Sequence, residues 1–330
     1  MDPVTHGLIG ASATQSVVSK EQLRPATIIG MIAAMLADLD IFIIDSTDPL
    51  LNIELHRQFS HSFIFIPIGA LIATGLLWYF FRNKMSFKKI YALCFISYAT
   101  AGIVDTFTSY GTKLLWPFLD ARYSWDLISV FDPLFSIVIL GLVIFSLYKK
   151  KPTISWFVWG WILFYLSVAV IQQHRGKSIA NNIAQQKNHQ IERLVVKPTL
   201  GNQLLWSIRY ISQDTLYADG VRLGLFKNEV YQGKKAPLLN WKQQYDQFQG
   251  TTLYKDIQRF DKLSEGYLIE HPHKKNIVGD GRYAMLPTDM SPLWGIKVDT
   301  TQPEKHLAFK TFREATPAVK DAYLDMLLGK

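Results

Sequence analysis

The sequence predicts a multi-pass α-helical membrane domain, with about five to six transmembrane helices, followed by a small soluble α+β domain with an antiparallel sheet. Three observations carry this. Apolar segments near the roughly 20 residues needed to cross a bilayer are confined to the first half of the 330-residue chain. Residues 1–173 hold 12 Lys/Arg and 11 Asp/Glu, against 23 and 16 in 174–330, so the first half is nearly neutral and the second polar and basic. Beyond residue 198, short strand-like runs alternate with turn residues. The expected boundaries are a transmembrane domain over 1–173 that carries a candidate metal site, a linker helix over 174–198, and an extracytoplasmic α+β domain over 199–330.

Segments 62–81, 90–109, 130–148 and 154–173 qualify as spans by length and composition, and 26–44 qualifies apart from Asp38 and Asp40. Segment 4–18 is weaker and short. It reads either as a sixth helix, tilted or partly re-entrant, or as a surface helix. Asp2 stands where a secretory signal would carry positive charge, and no small-residue cleavage site follows. Cys94 is the only cysteine, so an intrachain disulfide and a cysteine-rich zinc motif are both excluded. The formal net charge of +8 fits anionic lipid headgroups or topology signals; without a basic-aromatic repeat or a recognised motif, no nucleic-acid partner is expected.

Six segments place Lys20, Arg24, Arg82, Lys84, Lys88, Lys89 and Lys149 to Lys151 in one set of loops, and Arg57, Lys113 and Arg122 in the other. Nine positive charges against three put the first set in the cytoplasm. Both termini and the whole second half then lie outside, at the outer face of the cytoplasmic membrane.

His6, Asp38, Asp40, His56, His61, Asp105, Asp126 and Asp132 all fall at the outer ends of their segments. Ionisable groups at membrane depth are costly and usually functional. Asp38, Asp40 and Asp105 sit near helix C-termini, where the macrodipole disfavours a carboxylate, and a divalent cation would offset that. Aspartates merely hydrated at the interface are the bland alternative. Asp38-Leu39-Asp40 converges only if the helix ends there. His56-Arg57-Gln58-Phe59-Ser60-His61-Ser62 brings two imidazoles together if a loop runs into a helix, with Ser60 as its N-cap. Arg57 can hold anionic charge. After Asp105, the run Thr106 to Thr112 offers hydroxyls to orient ligands, with Gly111 as a helix stop. Asp132 before Pro133 reads equally as an N-cap. Trp116, Tyr123 and Trp125 read as interfacial aromatics.

The order Thr5-His6-x-x-x-Gly10, Leu36-x-Asp38-Leu39-Asp40, His56-Arg57-x-x-Ser60-His61-Ser62, Asp105-x-x-Thr108-Ser109-Tyr110-Gly111-Thr112 and Phe131-Asp132-Pro133 resembles the YdjM-type family of predicted inner-membrane, metal-dependent hydrolases over about residues 1–150. The resemblance implies a bacterial or archaeal inner-membrane protein, and a metal site of His6, Asp38, Asp40, His56, His61 and Asp105. Two positions depart from the family pattern. Ala37 stands where a proline often precedes the first aspartate, and Ala101 where a histidine often stands four residues before the later one. The departures leave open weaker metal binding, one ion in place of two, or loss of activity.

The expected function is a membrane-embedded hydrolase that uses a divalent ion (Zn, Mn or Mg) on an ester or phosphoester of a lipid or lipid-linked substrate. Arg57 would stabilise anionic charge, and Asp126 is a candidate acid–base residue. A non-catalytic scaffold or binding protein with a structural metal is the alternative. A transporter needs polar groups through the full membrane depth, which 62–81 and 154–173 lack.

In the second half, a helix over 174–196 ended by Pro198 is expected, then strands at 203–212, 215–226, 266–270, 282–286 and 293–298, and a helix over 316–328. His271, His273 and Arg282 are either substrate contacts or parts of ordinary turns. An Asp-Gly hairpin is expected at Asp280.

Overall fold

The computed structural model describes all residues, 1–330. The chain divides into two compact units. The first comprises residues 1–43, 55–171 and 200–202; the second comprises 44–54, 172–199 and 203–330. In chain order the helices of the first half are α1 (Pro3–Gln15), α2 (Leu23–Met35), α3 (Pro49–Leu55), α4 (Ile66–Phe81), α5 (Phe87–Asp105), α6 (Pro133–Lys149) and α7 (Ser155–Gln186).

Four helical stretches are long and apolar enough to cross a membrane: Leu23–Phe42, Phe63–Phe81, Phe87–Asp105 and Pro152–Gln186. This is below the expected five to six. The segment expected at 130–148 forms the shorter apolar helix α6, which has 17 residues. The 13 residues of α1 span only about 20 Å at the helical rise, short of the roughly 30 Å hydrocarbon core.

Nor is α1 a surface helix, because every residue from Thr5 to Gln15 is buried. A helix buried on all sides has no solvent or lipid face. Asp2 caps it by accepting from Thr5 N at 3.0 Å, and Pro3 opens its first turn. Its small residues let α2 approach closely. A Cβ added at Gly10 would meet Gly30 O at 2.6 Å. Its polar side chains are internally paired: Thr14 Oγ1 donates to Ala26 O at 2.8 Å and Gln15 Nε2 to Thr27 Oγ1 at 3.0 Å. One apolar core of the unit joins α1, α6 and α7 through Ile9, Phe135, Ile139, Val158 and Ala169. A second joins α2, α4 and α5 through Ile29, Ala73, Ile90 and Leu93.

The second unit holds two four-stranded antiparallel sheets, each a meander in chain order. The first contains β1 (Arg193–Pro198), β2 (Leu205–Ser212), β3 (Thr215–Leu223) and β4 (Asn228–Pro237). Next come α8 (Trp241–Gln244) and α9 (Thr252–Leu263). The second sheet contains β5 (Leu268–Glu270), β6 (Ile277–Asp280), β7 (Trp294–Lys297) and β8 (Ala308–Thr311), and α10 (Pro317–Leu328) closes the chain. Pro198 therefore ends a strand, not the linker helix, which stops at Gln186. Proline fits there as the last residue of a strand at the sheet edge. The expected strand at 282–286 is absent. Asp280 ends β6, and its carboxylate accepts from Arg282 N at 3.0 Å, which turns the chain instead of pairing it.

Ala180, Ile183 and Ala184 of α7 pack on Trp206, Tyr210 and Val221 of the first sheet. Leu253, Ile257 and Phe260 of α9 pack on Val278 and Ile296 of the second, and Leu50 is fully buried in that same core. The segment 44–54, which sequence order places within the membrane half, thus belongs to the second unit.

Candidate metal centre

The α-helical part of α2 ends at Met35, and Leu36–Phe42 continues as a tighter 3-10 helix. At three residues per turn, positions two apart point in different directions. Asp38 and Asp40 consequently bracket the imidazole of His61. Asp38 Oδ1 lies 3.4 Å from Nε2, and Asp40 Oδ2 lies 3.5 Å from Nδ1. From the start of α1, His6 Nε2 reaches Asp105 Oδ1 at 3.1 Å and Asp38 Oδ2 at 3.9 Å. His61 Nε2 lies 3.3 Å from Asp105 Oδ2. Donor atoms of His6, Asp38, His61 and Asp105 all lie within 4.8 Å of one another. Four stretches of chain separated by up to a hundred residues meet here.

Asp40 and His56, expected in the same ligand shell, stand beside this cluster. The carboxylate of Asp40 is fully engaged, accepting from His56 Nδ1 at 2.8 Å, Arg57 N at 2.8 Å and Ser60 Oγ at 2.5 Å. Its oxygens hold the His56–His61 loop in shape. Ser60 is not an N-cap: its hydroxyl joins Asp40 and lies 2.9 Å from His61 Nδ1, so it fixes that ring.

Arg57 adopts a left-handed backbone with φ of 57°, a conformation that costs a non-glycine residue of order 1 kcal/mol or more. Three bonds hold it. Asp40 accepts its N–H, and its carbonyl accepts from Thr112 Oγ1 at 3.2 Å and Lys113 N at 3.1 Å. The side chain is buried, with Nε 2.8 Å from Asp105 Oδ2 and Nη2 donating to Met1 O at 2.9 Å. The α-amino group of Met1 also lies against Asp105.

Other candidates take structural positions. Asp132 caps α6 by accepting from Phe135 N at 3.2 Å, and Tyr165 Oη donates to it at 2.7 Å. Asp126 is half-buried in the loop after α5 and belongs to neither of the two His–carboxylate groupings in the chain. Trp125 is half-exposed, as an interfacial aromatic would be. In the second unit, Arg282 is committed to Asp280, Glu265 and Leu263 O, at 2.8, 2.6 and 2.8 Å. His271 Nδ1 accepts from His273 N at 3.1 Å within a turn.

Two residues that shape the site, Tyr98 and Gly102, carried no motif signal. On α5, Tyr98, Ala101, Gly102 and Asp105 fall at helical spacing on one face, which a face-by-face reading of that helix would have found. Tyr98 Oη donates to Ser60 O at 3.0 Å, and Gly102 leaves room for the backbone of His61. Ala37 and Ala101, the two departures from the family pattern, pack together with Tyr98 as a small apolar cluster.

The donor set fits a cation. Two buried atoms in the cluster, His61 Nε2 and Asp38 Oδ2, make no hydrogen bond, although buried polar atoms are nearly always satisfied; Asp105 Oδ2 is held by the ion pair to Arg57 Nε. Ligands around one zinc-like ion with bonds of about 2.0–2.1 Å stand roughly 3.3 Å apart, close to most of the separations above. Mixed imidazole and carboxylate donors suit Zn, Mn or Fe. Three buried carboxylates face one guanidinium and one ammonium, so negative charge remains unmatched unless an imidazole is protonated or a cation binds.

Among known proteins, the family model described as YdjM inner membrane protein matches residues 1–176. No curated protein and no solved structure matches the chain. The match spans every residue of the four-donor cluster, and the chain belongs to the YdjM inner membrane protein family.

Proposed function

We propose that this protein is a membrane-embedded, metal-dependent hydrolase acting on an ester or phosphoester at the outer membrane–water boundary, with a lipid or lipid-linked substrate. The single observation that carries the reading is the buried four-donor cluster with its unpaired atoms. His6, Asp38, His61 and Asp105 would hold one divalent ion. The apolar packing of Ala37, Ala101 and Tyr98 beside them offers no donors for a second. A divalent cation in such a donor set supplies Lewis acidity toward an ester or phosphoester oxygen.

The chain's own residues supply the rest. His56 is the histidine of the group that solvent reaches, with its side chain 24 % exposed. Asp40 holds its Nδ1, which leaves Nε2 to take up a proton and return it, as a carboxylate-oriented imidazole does. Arg57 keeps a buried Nη1 without a partner, suited to an anionic oxygen on the substrate. Asp105 Oδ2 and Met1 O hold the rest of that guanidinium in place.

One observation favours the alternative of a structural metal. The side chains of His6, His61 and Asp105 are at most 1 % exposed, and only Asp38, at 11 %, opens outward. A closed shell is the mark of a structural site. Metal content and hydrolysis of a chromogenic phosphodiester by the purified full-length chain separate the two. The hydrolase reading expects about one ion per chain in both the wild type and His56→Ala, with the variant's rate lower by roughly 10²-fold or more. Full metal content with no hydrolysis of ester or phosphoester probes by the wild type would favour the scaffold. An absence of bound metal after reconstitution would remove both.

A further inference from the structure

Turns are built from Gly, Asn, Asp, Pro and Ser, which tolerate unusual backbone angles or bond their own main chain. The β3–β4 hairpin departs from this. Its tip, Gly224-Leu225-Phe226-Lys227, closes through Gly224 N donating to Lys227 O at 3.1 Å. At the apex, Leu225 is 91 % and Phe226 100 % exposed. Turn geometry asks for neither side chain, and exposing both to water forfeits the gain from apolar burial.

The level of this tip is set by α7. Gln172 Nε2 donates to Leu223 O at 2.9 Å and to Gln203 O at 3.0 Å. Arg175 Nη2 donates to Gly224 O at 2.7 Å and to Asn228 Oδ1 at 2.8 Å, and Nη1 donates to Gln172 Oε1 at 2.5 Å. These two residues directly follow the apolar stretch that ends at Ile171 within one unbroken helix, the longest candidate span of the chain. The end of such a stretch marks the hydrocarbon boundary. The hairpin apex is therefore pinned within about one helical turn of that boundary. The stretch of α7 before it is itself apolar and outward-facing, with Leu163, Phe164 and Ile171 at 69, 59 and 59 % exposed. Lys227, with its side chain 78 % exposed, lies 2.8 Å from Glu229 Oε1, so a solvent-facing ion pair rather than further apolar surface flanks the apex.

We infer that Leu225 and Phe226 insert into the bilayer interface, and that lipid is what covers them. The hairpin is then a second membrane contact of the C-terminal half, in addition to the helix that leads into it.

The single buried cysteine makes this directly testable. In a Cys94→Ala background of the full chain, a nitroxide is attached at Phe226→Cys and, as a control, at the exposed Lys305→Cys. The protein is reconstituted in phosphatidylethanolamine–phosphatidylglycerol vesicles, and collision with oxygen and with a water-soluble nickel chelate is measured. The expected result is a severalfold higher oxygen-to-nickel ratio at 226 than at 305. A nickel accessibility at 226 equal to that of the control would place the apex in water and overturn the proposal. Low accessibility to both reagents would mean that a second copy or another protein covers the tip, which overturns it equally. Should Phe226→Cys not yield folded protein, Leu225→Cys reads the same depth with the same outcomes.

Discussion

Two groups of histidine and aspartate in this protein each bring their donor atoms within 4.8 Å, yet they differ in kind. The first, His6, Asp38, His61 and Asp105, is buried and leaves an oxygen of Asp38 and a ring nitrogen of His61 without a hydrogen bond. The second, Asp48, Asp256 and His306, lies in the second unit and has its carboxylates already engaged by an arginine and a backbone N–H. Arg259 Nη1 reaches Asp48 at 2.9 Å and Asp256 at 3.0 Å, while Nε and Nη2 grip Glu54 at 2.9 Å each. Asp256 also accepts from Leu307 N at 2.9 Å and from His306 at 3.0 Å. Proximity of ligand-type residues is common to both groups. Unsatisfied bonding capacity in a dry environment belongs to one of them, and that property distinguishes a candidate metal centre from an ion-pair network.

The largest effect should come from breaking one group at a time. Asp105→Asn should weaken divalent-cation binding by roughly 100-fold or more, because a first ligand matters at least as much as the 10–100-fold typical of its supports. Asp256→Asn should leave affinity unchanged. Competition against a chromogenic chelator reads both, and loss of the ion in Asp256→Asn with retention in Asp105→Asn would reverse the assignment. Next, Arg259→Ala should destabilise the protein by about 2–3 kcal/mol, since it strands a buried carboxylate and two half-buried ones, measured by thermal unfolding. Zinc that restored the melting temperature of this variant, with no effect of equal size on the wild type, would show that the arginine occupies a latent cation site. The smallest effect is expected for Ser60→Ala, about tenfold in metal affinity through the loosened His61 ring. A change below twofold would show that Asp40 and the backbone suffice to hold that ring.

Much of this was written in the sequence, for physical reasons. A carboxylate on an apolar helix is expensive enough to stand out singly, so Asp38 and Asp105 were visible without their partners. The division between Asp38 and Asp40 was not visible, because it depends on α2 tightening into a 3-10 turn that no residue pattern announces. The role of Ser60 was hidden likewise, since a serine ahead of an apolar run reads as a cap until the carboxylate it bonds is placed. The short helix α1 was ambiguous because small residues such as Gly7, Gly10 and Ala11 give weak hydropathy; their purpose is close packing, which appears only with α2 alongside. In the second unit, β4 was missed because its burial pattern is almost wholly exposed, so it carries no apolar alternation. Helix α9 is short and lies between strand-like runs, although its apolar stripe Leu253, Ile257 and Phe260 follows helical spacing.

The excursion of residues 44–54 has a practical consequence for anyone who would dissect this molecule. Leu50 is seated in the core beneath α9, and Glu54 is clamped by Arg259, while Asp40 and His56 stand a few residues away on either side of that stretch. A fragment ending at residue 173 would release an eleven-residue loop whose anchors had been deleted, and a fragment beginning there would carry a vacant groove where Leu50 belongs. A cut at residue 173 therefore costs the second unit part of its core, and any dissection has to carry residues 44–54 with the second unit.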